Sequence, residues 1–156
     1  MAVRPLGKVQ LRPAQAGDSS DCPPSGRRTL GAQRYHDRVV VALASFVESR
    51  NPGASVCANP GSAANFEICG EYPDVVLCAR DEPGVPVRLF EVETFASIHE
   101  GSVAQWRRYR GLGVALTLVV PNTVRTLADK LLCAEGLGDV QVLGYALDQN
   151  GEIFFA

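Results

Sequence analysis

No run of the 156-residue sequence approaches the roughly 20 consecutive apolar residues that a bilayer-spanning helix needs. The longest candidates, "VVVALASFV" and "VALTLVV", are core-sized. The N-terminus lacks an apolar signal-type region, so no secretory leader is expected and the cytoplasm is the default compartment. Cys22, Cys57, Cys69, Cys78 and Cys133 are odd in number, and no two stand as C-x-x-C. A structural zinc site or a disulfide framework is therefore not expected, and the thiols read as free or buried. An excess of one charge is lacking too. The net charge of −2 advertises no nucleic acid by itself. There is no internal repeat.

The chain does have 46% hydrophobic residues, enough for one core, and an ordinary 21% of charged ones. Charge is unevenly spread. Residues 1–50 carry eight Lys/Arg against four Asp/Glu, whereas residues 51–104 carry two against eight. Such asymmetry suits an acidic site beside a basic surface, and also an ordinary uneven surface. Residues 1–32, rich in Pro, Gly, Ser, Ala and Arg without period, read as a flexible basic leader. Arg4, Lys8, Arg12, Arg27 and Arg28 make it either a solvated tail or an arm that touches phosphate. Residues 33–156 read as a single domain.

Helical spacing of His36, Val39, Val40, Leu43, Phe46 and Val47 predicts a helix over 33–49, stopped by "NPG" at 51–53. Strand candidates follow at 54–58, 65–70, 74–79 and 87–94. "DEPG" at 81–84 has the order of a type II turn and makes the last two an antiparallel hairpin. Ser97 with Glu100 reads as a capping box, with Ser102 and Gln105 as a later start. That second helix ends near Gly111 or Gly113. A buried-type strand over 114–121, a third helix capped by Asn122 or Thr123 and running to about Cys133, and a strand over 140–147 come next. "QNG" at 149–151 turns into "EIFF". This order predicts an α/β fold, a three-layer α/β/α sandwich with a mixed central sheet.

Inside the 87–94 strand stands "FEVET". Alternation puts Glu91 and Glu93 on one face, with Phe90 and Val92 on the other. If the hairpin turns about Pro83 and Gly84, residues paired across it sum to 167, and Asp74 lies opposite Glu93. A sum of 165 pairs Asp74 with Glu91 instead. Either odd sum puts all three carboxylates on one face, while an even sum separates Asp74 from them. Carboxylates opposite one another lie about 5 Å apart and repel. Mg²⁺ resolves this, because it takes hard oxygen ligands and keeps waters for substrate and nucleophile. It also lowers the pKa of a bound water and stabilises charge on a phosphodiester. The plain alternative is a charged, solvent-facing strand.

These residues resemble a family. "PD" at Pro73 and Asp74, followed by "EVE" at Glu91, Val92 and Glu93, resembles the PD-(D/E)XK nuclease superfamily. "QWRRY", with Gln105 and Tyr109 four apart, resembles the Q-x-x-x-Y motif of bacterial recombination helicase–nucleases. "HDRVV" is similar to the first-helix motif of archaeal Holliday-junction resolvases, with Asp37 at the acidic position. The resemblance covers roughly residues 33–121. It implies a restriction-endonuclease-like core, αβββαβ, and a Mg²⁺- or Mn²⁺-dependent DNA endonuclease. Asp74, Glu91 and Glu93 would be catalytic and metal-binding, Asp37 would support the metal, and Gln105 would orient substrate or water. Arg107, Arg108 and Arg110, with Tyr109, would engage DNA. Resolvases of this class act as dimers, so a homodimer is implied, although no dimer seam is legible.

One departure stands out. The family usually has Lys where this chain has Glu93. Glu93 would then act as ligand or general base, or mark a catalytically inactive module that binds DNA or protein. Trp106 reads as core, and no catalytic role is assigned to His36 or His99.

Overall fold

The computed structural model describes residues 12–13, 29–61 and 65–156. Most of the expected leader lies outside these residues. Its last part does not behave as a leader. Helix α1 (Leu30–Arg50) begins three residues before the expected start, because Thr29 caps it by accepting the Ala32 amide at 3.3 Å. The buried stripe of α1 is His36, Val39, Val40, Leu43 and Val47. At its C-terminus Asn51 Nδ2 donates to the Val47 carbonyl at 2.7 Å, satisfying a last-turn acceptor.

Two short strands form a ribbon apart from the main sheet. β1 (Arg12–Pro13) pairs antiparallel with β3 (Phe66–Glu67). The strand expected over 65–70 is therefore two residues long and faces the leader. The main sheet has six strands in the order β2, β4, β5, β6, β7, β8. These are β2 (Val56–Ala58), β4 (Val75–Cys78), β5 (Pro86–Val92), β6 (Ala115–Pro121), β7 (Gln141–Leu147) and β8 (Ile153–Phe155). β5, β6 and β7 are parallel to one another, and the outer pairings are antiparallel. Among the described residues the fold is thus mixed α/β, a six-stranded mixed sheet with three α-helices beside the β1–β3 ribbon.

The β4–β5 hairpin forms as expected. Gly84 has φ of 84°, and the Val85 amide donates to the Glu82 carbonyl at 3.1 Å, as a type II turn over 82–85 requires. The register is the 165 alternative: Val75 pairs with Phe90, Val76 with Leu89 and Leu77 with Arg88. It shifts between Leu77 and Cys78, so that Cys78 faces Pro86. Pro86 has no N–H to donate, and Val87 becomes the extra residue of a bulge.

Helix α2 (Val103–Gly111) follows a 3₁₀ turn over Glu100–Ser102. The expected capping box does not form. Ser97 is turned back to the Thr94 amide at 2.7 Å, and His99 caps the 3₁₀ turn by accepting from the Gly101 amide at 3.0 Å. A second 3₁₀ turn over Asn122–Val124 leads into α3 (Arg125–Ala134).

Alternation along the strands divides the apolar side chains between two clusters. One joins the α1 stripe to Val75, Phe90, Val92, Val119 and Tyr145. The other joins Trp106 and Tyr109 of α2 and Ala128 and Leu132 of α3 to Val76, Leu89, Leu116, Leu118 and Val120. Burial of these faces is the main driving force for the fold, at about 25 cal/mol for each Å² removed from water. Among the described residues no helix is long and apolar enough to cross a membrane.

Candidate active site

The carboxyl end of β5 lies in the parallel part of the sheet, where the crossover helices leave an open mouth in α/β folds. Here Asp74, Glu91 and Glu93 are 8%, 5% and 3% exposed. This rules out the solvated-strand alternative and makes the partners of each carboxylate decisive, since a buried charge is costly unless paired and hydrogen-bonded.

Asp74 immediately precedes β4, one step beyond the Val75–Phe90 pair and hence opposite Glu91. Its Oδ2 accepts the Val92 amide at 2.8 Å and lies 3.2 Å from His36 Nε2. Glu91 Oε1 accepts from Gln105 Nε2 at 2.7 Å, and the same nitrogen lies 3.1 Å from the Tyr109 hydroxyl. Gln105 and Tyr109 are one helical turn apart, so one face of α2 presents both. Burial raises the pKa of the Tyr109 hydroxyl, and the negative charges of Glu91, Asp74 and Glu71 raise it further. The phenol therefore stays protonated. Tyr109 is 2% exposed, and its hydroxyl meets the site through Gln105.

Glu93 belongs to a different network. Its Oε1 accepts from the Trp106 indole at 2.8 Å, and its Oε2 accepts from the Ser97 hydroxyl. Its backbone is held as firmly: the amide donates to the Val119 carbonyl at 2.8 Å, and its carbonyl accepts from the Tyr145 hydroxyl at 3.1 Å. Trp106 is fully buried, as expected for a core residue. Where the resembling family keeps a lysine, this chain thus has a carboxylate that ties α2 and the following turn to the sheet.

Asp37 is drawn elsewhere. Its Oδ1 accepts from Gln33 Nε2 at 2.7 Å and from the Gly61 amide at 2.9 Å, and lies 3.3 Å from His36 Nδ1. Burial alone would raise its pKa, but these donors outweigh burial and hold it below the usual carboxylate value. Among the described residues, no group of three or more His, Cys, Asp or Glu side chains is placed to hold a metal ion. The four carboxylates expected to converge are therefore not one cluster. The register sets Asp74 opposite Glu91, each with donors of its own, while Glu93 and Asp37 turn to other donors. A two-carboxylate set still suits Mg²⁺, which is commonly held by one or two carboxylates plus waters and substrate phosphates.

Arg107, Arg108 and Arg110 each pair with an acid: Glu135, Glu71 at 2.8 Å and Asp139 at 3.0 Å respectively. About half of each arginine side chain is exposed. Exposed pairs of this kind contribute about 0–1 kcal/mol and exchange readily for another anion.

His36 is buried on the apolar stripe of α1 as its spacing predicted; what sequence reasoning missed is its contact with Asp74. The histidine is 3% exposed and bridges Asp37, its neighbour on α1, to Asp74, 38 positions away. A histidine on an apolar stripe carries no signal of a partner that distant in sequence. Comparison with protein-family models, curated proteins and solved structures gives no match.

Proposed function

We propose that the chain is a metal-dependent DNA nuclease of PD-(D/E)XK type, built on a three-layer sandwich with a restriction-endonuclease-like core and acting in the cytoplasm as a homodimer. The observation that carries this reading is the position of buried Asp74 opposite buried Glu91 at the carboxyl end of β5, with Gln105 on Glu91 and Tyr109 beside it. Asp74 and Glu91 would hold Mg²⁺ or Mn²⁺. Bound there, the ion would supply a water of lowered pKa and stabilise charge developing on the phosphodiester. The Val92 amide and His36 orient Asp74 through Oδ2, which leaves Oδ1 for the ligand. Gln105, anchored on Glu91 and Tyr109, orients a substrate oxygen or the attacking water. Arg107, Arg108 and Arg110 would exchange their acidic partners for backbone phosphates.

Nicking of supercoiled plasmid tests this. Cleavage is expected with Mg²⁺ or Mn²⁺ and is expected to vanish with EDTA, with Asp74→Asn and with Glu91→Gln. Wild-type protein that cuts equally well in EDTA would sink the metal-dependent reading.

One observation favours a second reading, a nuclease-fold module that binds DNA or protein without cutting. Both oxygens of Glu93 are occupied by Trp106 and Ser97, so Glu93 is poorly disposed to replace the missing lysine. Salt-sensitive DNA binding without cleavage would select that reading; no DNA binding at low salt would point to a protein partner.

A further inference from the structure

A second candidate site lies on the α1 side of the sheet. Arg88 precedes Glu91 by three positions on β5, so it projects from the opposite face, about 10 Å along the strand. There the C-terminal end of α1 stands over the starts of β5, β6 and β7 and leaves a cavity of about 300 Å³. Its walls include Phe46, Arg50, Leu77, Arg88, Thr117 and Leu143, and among the described residues no acidic one lines it. That volume is at the lower end of small-molecule sites.

The charge is what distinguishes this cavity. Arg88 Nη1 donates to Thr117 Oγ1 at 2.9 Å and to Gln141 Oε1 at 2.6 Å, both neutral acceptors. Thr117 is 4% exposed, so this side of the guanidinium is held in a fixed position. Arg50 lies over the Phe46 ring, 4.9 Å from its centroid. Among the described residues neither arginine is ion-paired with an acid, whereas Arg107, Arg108 and Arg110 all are. Two uncompensated guanidinium groups therefore border one partly apolar cavity. Arginine placed this way recognises carboxylate or phosphate oxygens through paired N–H donors. The basic leader has the wrong charge to serve as occupant.

We propose that this cavity binds a small organic anion, with a flat apolar body against Phe46, Leu77 and Leu143 and an anionic head between Arg50 and Arg88. The proposal is independent of the nuclease reading, since none of these residues belongs to the Asp74–Glu91 site.

Fluorescence titration of the full chain with anilinonaphthalene sulfonate tests it. One-to-one binding is expected, weakened about tenfold or more by Arg50→Gln and by Arg88→Gln, as loss of a charge-assisted contact predicts. Lys130→Gln, an exposed change on α3, is the control and should leave binding unaltered. Arg50 is exposed at a helix end, so its variant should fold even if the Arg88 variant does not. Naphthoate and adenosine monophosphate then compete. Better displacement by the first identifies a carboxylate ligand, and by the second a phosphate. The proposal is overturned if binding is not one-to-one, if Arg50→Gln leaves it unchanged, if neither anion displaces the probe, or if neutral naphthamide competes as well as naphthoate.

Discussion

Asp74 Oδ2 lies 2.8 Å from the Val92 amide nitrogen, so the side chain at the start of one strand closes onto the backbone at the end of its neighbour. His36 reaches the same oxygen from α1. The carboxylate is thus both a candidate ligand and a joint between helix and sheet. Asp74→Ala leaves the buried Val92 N–H without its acceptor, which costs about 1–3 kcal/mol. Asp74→Asn keeps an oxygen for that N–H and should lose less. Urea denaturation of the two variants measures the difference, and equal losses would refute the role of this bond.

Trp106→Phe removes the donor to Glu93 Oε1 while largely keeping the ring's bulk. The stranded carboxylate oxygen predicts a loss of about 1–3 kcal/mol beyond the packing change. In a double-mutant cycle with Glu93→Ala, which removes the acceptor, a coupling energy near zero would show that the indole bond contributes little.

Glu93→Lys restores the residue usual in the resembling family, yet it should destabilise the protein rather than activate it. An ammonium would meet the Trp106 N–H, another donor, in a site with 3% exposure. A lower thermal midpoint with no gain in plasmid nicking is the expected outcome, and a stable, more active variant would contradict it.

The acid limb of stability should carry a mark of Asp37. Its folded pKa is depressed because donors from Gly61, Gln33 and His36 outweigh burial. A depressed carboxylate stabilises the fold above its unfolded pKa of about 3.9, and that contribution is lost as pH falls through the lower folded value. Denaturation midpoints measured from neutral pH down to about pH 3 should therefore fall less steeply on the acid side for Asp37→Asn than for wild type.

Asn59 organises the loop that leads into Asp74. Its Oδ1 accepts the Asn65 amide at 2.7 Å and the Phe66 amide at 3.1 Å, while its Nδ2 donates to the Phe66 and Pro73 carbonyls. Asn59→Ala strands several buried backbone groups and should cost about 2–4 kcal/mol, at the upper end of single substitutions. Amide exchange at Phe66 should accelerate in the variant.

The elements that were legible in the sequence had local causes. The α1 stripe, the turn at Gly84 and the alternation of "FEVET" each follow from spacing within one segment. Whether Asp74 would face Glu91, face Glu93 or stand on the other side of the sheet was left open by the sequence. The bulge at Val87 decided it: beside the turn Cys78 and Pro86 sum to 164, and the extra residue moves the pairs beyond it to 165, which puts Asp74 opposite Glu91. What stayed hidden depends on contacts between distant segments. Ser97 and Glu100 matched a capping box in sequence, but Ser97 had a stronger attraction in the buried Glu93 carboxylate. The expected gathering of four carboxylates failed for the same reason: Trp106, Ser97, Gly61 and Gln33 offered donors that no motif records.

The donor that fixes Asp74 on β5 is a main-chain amide. Replacing the Val92 side chain with any residue except proline keeps that amide in place, so point substitutions along the strand have little purchase on how Asp74 is aimed. A slip of β5 against β4 by one residue would undo it. The aim of the carboxylate is thus inherited from how the two strands are paired, and it can survive extensive change in the side chains around it.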